Sequence, residues 1–197
     1  MAKLSLRPAS VADASGCAAI YAPYVLNTAI SFEEIPPSAV QMTERIRHKS
    51  TSHGWFVATE ADRLLGFAYA GTYREREAWQ WVCETSIYLD PLAAGRGVGR
   101  QLYGVLLEHL AARGFRVAVA SIALPNAASV ALHQSLGFEH FGTSPGVGFK
   151  HHQWIDVAWF QRHLGSGTTT PAEPLQASVV NPGQGAGSDQ GVGSASR

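Results

Sequence analysis

Three alternating glycines, Gly95, Gly97 and Gly99, lie between a strand-like segment and a helix-like run over residues 98–112. The first backbone N–H groups of a helix have no intrahelical acceptor, and the helix dipole adds partial positive charge at the same end. Glycine allows phosphate oxygens to approach these N–H groups closely. The segment "GRGVGR" therefore predicts a phosphate- or pyrophosphate-binding loop.

Arg96 and Arg100 lie within this loop and would add charge-assisted contacts to phosphate oxygens. The loop lacks the Lys-Ser/Thr pair of an ATP-binding P-loop. It also lacks the acidic residue that a dinucleotide-binding fold carries about twenty residues later. ATP and NAD are therefore poor candidates. The alternative is that the glycines only form a tight turn from strand to helix.

Composition excludes several other classes of function. The chain has 197 residues, 46% of them hydrophobic, and its 15 basic and 15 acidic side chains cancel. This balance does not support electrostatic binding of nucleic acid or of an anionic membrane. Cys17 and Cys83 form no CxxC pair, which argues against a disulfide framework or a zinc site. The N-terminus lacks the apolar region of a signal peptide and no segment is long enough to span a membrane, so we expect a cytoplasmic protein.

The composition changes near Leu164. Residues 165–197 contain no aromatic side chain and are rich in Gly, Ser, Thr and Pro. Such a segment cannot bury enough apolar surface to offset the entropy lost on ordering. We therefore expect one folded domain over residues 1–164 and a disordered tail over 165–197; the alternative for the tail is a docking segment.

The first 164 residues are predicted to form a mixed α/β domain in the order β-α-α-β-β-β-α-β-α-β. Capping boxes at Ser10 with Asp13 and at Ser38 with Gln41 open the first two helices, and Pro23 predicts a kink or break in the first. Hydrophobic patterns predict strands over 4–9, 55–59, 64–71, 81–89, 116–124 and 154–161, and helices over 10–26, 38–48, 98–112 and 126–138.

The order of strand, Gly-x-Gly loop, helix, buried strand and Asn-initiated helix resembles the GNAT family of N-acetyltransferases. The blocks "GFAYAGTYREREAWQWVCETSIYLDP", "ALPNAASVALHQSLGF" and "VGFKHHQWIDVAWFQ" resemble its phosphinothricin and methionine sulfoximine acetyltransferases. The resemblance spans most of residues 4–163. It implies the GNAT fold, a central mixed twisted sheet flanked by helices, and acetyl-CoA as cosubstrate.

In this family the glycine loop follows a Gln/Arg-x-x-Gly-x-Gly/Ala pattern and holds the pyrophosphate of acetyl-CoA. Ala94 stands here at the first position of the pattern, from which we expect a modest loss of affinity. The cofactor-binding residues that the resemblance implies are Ile87, Tyr88, Leu89, Gly95, Arg96, Gly97, Val98, Gly99, Arg100 and Asn126.

The resemblance also implies two catalytic residues. Glu84 would take a proton from the amine, directly or through a water, and His133 would assist proton transfer or bind substrate. The alternatives are an ordinary ion-pairing Glu84 and a packed or exposed helical His133. Strand alternation independently predicts that Glu84, Ser86 and Tyr88 share one face while Cys83 points away. We therefore expect direct acetyl transfer without an acetyl-cysteine intermediate.

For the substrate, Arg74 and Arg76 alternate in "TYREREAW" and would present guanidinium groups to a carboxylate or phosphinate. The resemblance implies that basic residues at these two positions bind the anionic ends of the substrate. Phe32, Trp79 and Tyr88 would supply aromatic walls. The alternative is a pair of solvated arginines on a loop.

Taken together, these patterns predict an acyltransferase that moves the acetyl group of acetyl-CoA to a small amino-acid-like amine. A peptide N-terminal acetyltransferase and a non-catalytic CoA-binding protein are the alternatives. His151 and His152 are adjacent and lack the i, i+4 spacing of a helical metal site, so no metal is expected. Expected partners are the amine and acetyl-CoA, without nucleic acid or membrane; analogy with the family suggests a homodimer.

Overall fold

A computed structural model describes residues 3–165, which form one sheet of seven strands and four α-helices. The strands are β1 Leu4–Pro8, β2 Trp55–Glu60, β3 Arg63–Thr72, β4 Val82–Leu89, β5 Val117–Ala123, β6 Glu139–Lys150 and β7 Gln153–His163. The helices are α1 Ala14–Asn27, α2 Ala39–Ser52, α3 Val98–Ala112 and α4 Ala127–Ser135. The strand order is β1-β2-β3-β4-β5-β7-β6, and only β4 and β5 pair in parallel. This mixed sheet with flanking helices confirms the predicted fold class.

The sheet is covered on both faces, because alternate residues of its central strands enter two separate cores. In β2, Phe56 and Ala58 pack towards α3, whereas Trp55 and Val57 pack towards α1 and α2. Helix α3 contributes a regular apolar stripe to the first core. Its fully buried residues are Val98, Leu102, Tyr103, Leu106, Leu107 and Leu110. The spacing of these residues follows the helical repeat, which is why the sequence pattern predicted α3 at its observed bounds.

Strand β4 shows the same alternation. Cys83 and Ile87 belong to the core beneath α3, and Tyr88 packs against the core beneath α1 and α2. Pairing of β4 with β3 runs without a register shift from Thr72 opposite Cys83 to Gly66 opposite Leu89. The predicted orientation of Cys83 away from the face of Tyr88 is therefore confirmed.

Strands β4 and β5 separate along their length. Their parallel pairing covers Val82–Glu84 opposite Val117–Val119, while β5 continues to pair with β7 as far as Ala123. A slot therefore opens between the second half of β4 and the second half of β5. Strand β5 is buried at most positions, as its apolar run predicted, but Ser121 is exposed at the slot.

One strand of the structure, β6, was not predicted from the sequence. The sequence patterns indicate no strand over residues 139–150, whereas the structure has β6 there, paired with β7. Pro145 and three glycines obscure the alternation of this segment, and two register shifts interrupt its pairing. His151 and His152, with φ of 49° and 62°, form the two-residue turn between β6 and β7. Positive φ at both positions is typical of a hairpin turn that matches the strand twist.

The predicted break at Pro23 is wrong, because α1 continues through this residue to Asn27, while a kink stays a prediction. Pro23 lies on the exposed side of the helix, while Cys17, Tyr21 and Val25 keep the opposite side buried. Water can solvate the carbonyl that loses its partner on the exposed side, so packing maintains the helix. A 3₁₀ turn over Val11–Asp13 precedes α1.

Helix α2 ends at Ser52, four residues later than the sequence predicted. Its predicted capping box is present: Ser38 N–H donates to Gln41 Oε1 at 2.8 Å and Gln41 N–H donates to Ser38 Oγ at 3.2 Å. Among the described helices, none combines the length and apolar character needed to cross a membrane. The predicted disordered tail lies outside the described residues, except for Gly165.

Candidate functional site

The three glycines of the loop before α3 serve two different purposes. Gly95 and Gly97 have left-handed φ values of 69° and 73°, which glycine adopts without strain. A Cβ at Gly95 would meet no atom within 4 Å, and the nearest atom to one at Gly97 would be Gln101 Nε2 at 3.9 Å. A Cβ at Gly99, in contrast, would lie 2.8 Å from Leu89 Cδ1. The first two glycines thus leave space above the loop, and the third lets α3 pack closely on β4.

The open side of the loop presents free hydrogen-bond donors. The first backbone bond of α3 runs from Gln101 N–H to Gly97 O at 3.2 Å. Within residues 3–165, the N–H groups of Val98, Gly99 and Arg100 donate to no backbone carbonyl. These amides lie at the positive end of a 15-residue helix. The arrangement fits a pyrophosphate group, with the exposed Arg100 beside it.

Arg96 is placed differently from Arg100. Its Nη2 lies 2.6 Å from Glu60 Oε1, and its Nη1 donates to Leu92 O at 3.4 Å. A direct contact of Arg96 with phosphate would therefore compete with the Glu60 ion pair.

The slot between β4 and β5 continues into a wider pocket. Its narrow part, of about 50 Å³, is lined by residues of β4, β5 and α4, including Ile87, Tyr88, Asn126 and His133. Asn126 caps α4, since its Oδ1 accepts a bond from Ser129 N–H at 3.1 Å. The wider pocket has a volume of about 440 Å³ and shares Tyr88 with the slot. Of the ten predicted cofactor-binding residues, Ile87, Tyr88 and Asn126 line the slot.

Glu84 lies on β4 where that strand leaves β5. Ser121 Oγ donates a hydrogen bond of 2.7 Å to Glu84 Oε1 across the mouth of the slot. Ser121 also lines the 440 Å³ pocket together with Ser86, so the bonded carboxylate is adjacent to this space. Ser121 is a site residue that the sequence patterns did not predict. Its signal was a single hydroxyl in the otherwise apolar strand "VAVASIA".

Phe32 and Tyr88, two of the predicted substrate-binding residues, line the 440 Å³ pocket together. Lys150 holds the segment that carries Phe32, because its Nζ donates to three backbone carbonyls, those of Val25, Ser31 and Glu33, at 2.6–2.8 Å. Lys150 is itself 6% exposed. The basic residue of the "KHHQW" run therefore has a structural role.

The other predicted substrate residues lie elsewhere. Arg74, Arg76 and Trp79 are exposed in the loop between β3 and β4, and none of them lines the pockets that contain Tyr88. The Arg74 guanidinium lies over the rings of Tyr73 and Trp79, at 5.2 and 5.5 Å from their centroids. This loop nevertheless starts next to the end of β3 that pairs with Glu84 and Cys83. Anion binding by Arg74 and Arg76 stays a prediction.

His133 is 3% exposed, and both of its ring nitrogens have partners. Nδ1 lies 2.8 Å from Ser129 O, an acceptor, so Nδ1 carries the proton. Nε2 therefore accepts a bond of 3.1 Å from the hydroxyl of Tyr103, which also lies 2.6 Å from Thr85 Oγ1. Burial lowers the pKa of His133, which makes the ring neutral at neutral pH. Proton transfer from His133 would require its bond to Ser129 to break.

The structure also locates two other kinds of reactive side chain, the Cys83 thiol and the histidine pair of the "KHHQW" run. Cys83 is fully buried, and burial raises the pKa of its thiol to about 12. Its thiolate is therefore not accessible as a nucleophile. His151 and His152 are exposed in the β6–β7 turn. Within residues 3–165, no group of three or more His, Cys, Asp or Glu side chains is placed to hold a metal ion.

The chain is similar in sequence to a family of known proteins. The sequence profile described as "Acetyltransferase (GNAT) domain" matches residues 6–159. The phosphinothricin N-acetyltransferase of Alcaligenes faecalis is 38% identical, over 82% of this chain and 83% of its own length. The L-methionine sulfoximine/L-methionine sulfone acetyltransferase of Pseudomonas aeruginosa is 36% identical, over 85% and 98%.

A solved structure shows the same arrangement of the chain. The crystal structure of a GNAT superfamily phosphinothricin acetyltransferase from Sinorhizobium meliloti, in complex with acetyl-CoA, is 40% identical and superposes with a TM-score of 0.82. The match covers 86% of this chain and 94% of that one.

Proposed function

The chain belongs to the GNAT family of acetyl-CoA-dependent N-acetyltransferases, and on that premise we propose that its acceptor is the amino group of a small amino-acid-like substrate of the phosphinothricin or methionine sulfoximine type. The observation that carries the proposal is the β4–β5 slot, which continues into a 440 Å³ pocket where the lining residue Ser121 bonds Glu84. The open glycine loop follows β4 and supplies the second element of the site. A pocket of this size suits a small molecule.

The residues of the glycine loop and of the β4–β5 slot fit acetyl-CoA, which supplies an acetyl thioester when it is bound. The amides of Val98, Gly99 and Arg100 would hold the pyrophosphate, because they have no other backbone partner within residues 3–165. Ile87, Leu89 and Asn126 would contact the extended arm along the slot. Gly95 and Gly97 leave the space above the loop that the phosphates need.

Glu84 takes a proton from the substrate ammonium, directly or through a water, so that the nitrogen lone pair can attack the thioester carbon. The N–C bond forms as the C–S bond breaks, and the nitrogen releases its second proton as the amide forms. That second proton neutralises the departing thiolate to the CoA thiol, and Glu84 releases the first proton to solvent. The hydrogen bond from Ser121 holds the Glu84 carboxylate at the slot. Because Cys83 faces the core, transfer is direct.

His133 and the two arginines enter the proposal in supporting roles. His133 assists proton transfer to the thiolate once the bond from its Nδ1–H to Ser129 O breaks, since its Nε2 already accepts from Tyr103. Arg74 and Arg76 bind the α-carboxylate of the substrate from the loop beside Glu84, where Trp79 adds an aromatic wall. The cytoplasmic location and the homodimer stay predictions.

The test is a screen of the purified full chain with acetyl-CoA and a panel of amines. The panel contains L-phosphinothricin, L-methionine sulfoximine, L-methionine sulfone, the common amino acids and short peptides with free N-termini. Mass spectrometry identifies each product, and release of the CoA thiol gives the rate. Acetylated amino acids are expected. Preferential acetylation of peptides would overturn the proposed substrate class, and acetyl-CoA binding without any product would overturn catalysis.

A further inference from the structure

A second pocket, of about 240 Å³, lies beneath α2 and shares Tyr21 and Tyr88 with the first. Its walls include a stack of aromatic rings: the centroid of Trp55 lies 4.4 Å from that of Tyr69 and 5.3 Å from that of Phe67. Such walls suit the apolar stem of a ligand. The shared residues join this pocket to the space beside Glu84.

Two of the three charges in this pocket neutralise each other. Arg45 donates from both Nη atoms to the two carboxylate oxygens of Glu33, at 2.7 and 2.8 Å. Tyr21 also donates to Glu33 Oε1, at 2.9 Å. This network lowers the pKa of Glu33, with the bond to Arg45 as its main cause. Glu33 and Arg45 therefore leave no net charge for a ligand.

The third charge, Lys49, is not neutralised by contact. Its Nζ lies over the Tyr69 ring, 4.9 Å from the centroid, and it forms no ion pair with any carboxylate of residues 3–165. The side chain is half-buried. Desolvation lowers the pKa of Lys49, while attraction to Glu84 opposes this effect. An anion that enters the pocket would meet an ammonium that forms an ion pair with no carboxylate of residues 3–165.

A glycine makes room for the Lys49 ammonium. A Cβ at Gly71 would lie 2.5 Å from Lys49 Nζ, so any side chain on that face would displace it. Gly71 is the residue of β3 that pairs with Glu84 on β4. Glu84 on β4 and the Lys49 ammonium, which lies over Gly71 of the neighbouring strand β3, are therefore close together on the side of the sheet that α2 covers.

We propose that Lys49 binds the anionic side-chain end of the substrate, a carboxylate or a phosphinate, while the methylene stem packs on Tyr69 and Tyr88. The inference rests on the proposed function, since it assumes an amino acid with its amine at Glu84. It adds a second anion-binding position to Arg74 and Arg76, which are proposed for the α-carboxylate. An amino acid with charges at both ends would engage both positions.

The test compares substrates that differ only at the side-chain end: L-glutamate against L-glutamine, and L-phosphinothricin against L-methionine sulfone. Lys49→Met removes the charge and keeps an apolar chain in its place. Arg47→Met removes a charge from an exposed position of the same helix and is the matched control. For Lys49→Met we expect KM for the anionic member of each pair to rise about 10- to 100-fold, the loss typical of one charge-assisted hydrogen bond.

The neutral member of each pair should change less than about twofold in Lys49→Met, and Arg47→Met should resemble the wild type for both. Lys49→Arg should recover much of the lost affinity, because it restores the cation. Calorimetric titration of L-phosphinothricin into the CoA-bound protein measures the same loss without turnover. Melting temperatures check folding, and Lys49→Gln replaces Lys49→Met if the latter does not fold.

Equal effects on the charged and neutral members, or no effect on either, would overturn the role of Lys49 while the proposed function stands. A wild-type protein that acetylates no amino acid would overturn the proposed function itself, and this inference with it.

Discussion

Replacing Glu84 with Gln removes the proposed proton acceptor while its surroundings are kept. The Gln side chain has nearly the same shape, and its amide oxygen can accept the Ser121 hydroxyl that lies 2.7 Å from Oε1 in the native protein. General-base assistance contributes about 10²- to 10⁴-fold, so turnover should fall by about that factor near neutral pH. Leu89, which precedes the glycine loop, lies five positions after Glu84 on β4, about 17 Å away at the rise of a strand. Binding of acetyl-CoA should therefore be almost unchanged.

Ser121→Ala tests the positioning of the same carboxylate. It removes the hydrogen bond and leaves the charge. Because Ser121 is exposed and Glu84 is only partly buried, the bond contributes about 0.5–1.5 kcal/mol, which corresponds to a loss of about 2- to 12-fold. The expected order of turnover is wild type, then Ser121→Ala, then Glu84→Gln.

The assay is steady-state release of the CoA thiol across a pH series, with acetyl-CoA binding measured separately as a rise in melting temperature. Raising the pH should restore part of the activity of Glu84→Gln, because more of the amine is then free without help from the protein. Wild-type turnover in Glu84→Gln at neutral pH would refute the reasoning and assign the base elsewhere. A larger loss in Ser121→Ala than in Glu84→Gln would also contradict it.

Two further predictions concern the glycine loop and the core. Gly97→Ala should reduce the stabilisation by acetyl-CoA, roughly 2.7 kcal/mol at 100 times its Kd in the native protein, because the new Cβ enters the space left for phosphate. The control is Gly104→Ala, within α3, where a Cβ would meet no atom within 4 Å. This variant should keep the full rise in melting temperature on binding of acetyl-CoA. Desolvation by burial lowers the pKa of His53 from 6.5 to about 4. The unfolded chain then binds this proton more readily than the folded one, so His53 should contribute a fall in stability of about 3 kcal/mol from pH 6.5 to pH 4, measured by urea unfolding of the wild type against His53→Gln. A pH slope that His53→Gln does not reduce would disprove the assignment.

Local sequence patterns predicted the structure correctly where the residues of one segment determine its conformation. Helix α3 depends on its apolar stripe and on the glycines before it, and both are visible in the sequence. The orientation of Cys83 and Glu84 follows from strand alternation alone, since β4 has no bulge in its pairing with β3. The GNAT fold was predictable because three such local patterns occur in the order of a known family.

Residues whose role depends on distant contacts were not predictable in this way. Strand β6 is stabilised by its pairing with β7, while its own sequence contains Pro145 and several glycines. Ser121 and Glu84 are 37 residues apart, and no local pattern indicates their hydrogen bond. Lys49 resembles any surface lysine of a helix until the fold places it over Tyr69.

The alternation of β4 explains how one strand serves both the core and the site. Cys83, Thr85 and Ile87 pack beneath α3, where Thr85 also bonds the Tyr103 hydroxyl. Glu84 and Tyr88 face the opposite side, where α2 and the 440 and 240 Å³ pockets lie. A register slip of one residue would bury the Glu84 carboxylate in the apolar core and turn the Cys83 thiol towards the substrate. Burial of an unpaired carboxylate costs far more free energy than the loss of one packing contact, so the same apolar core that stabilises the sheet also keeps the proposed base at the slot.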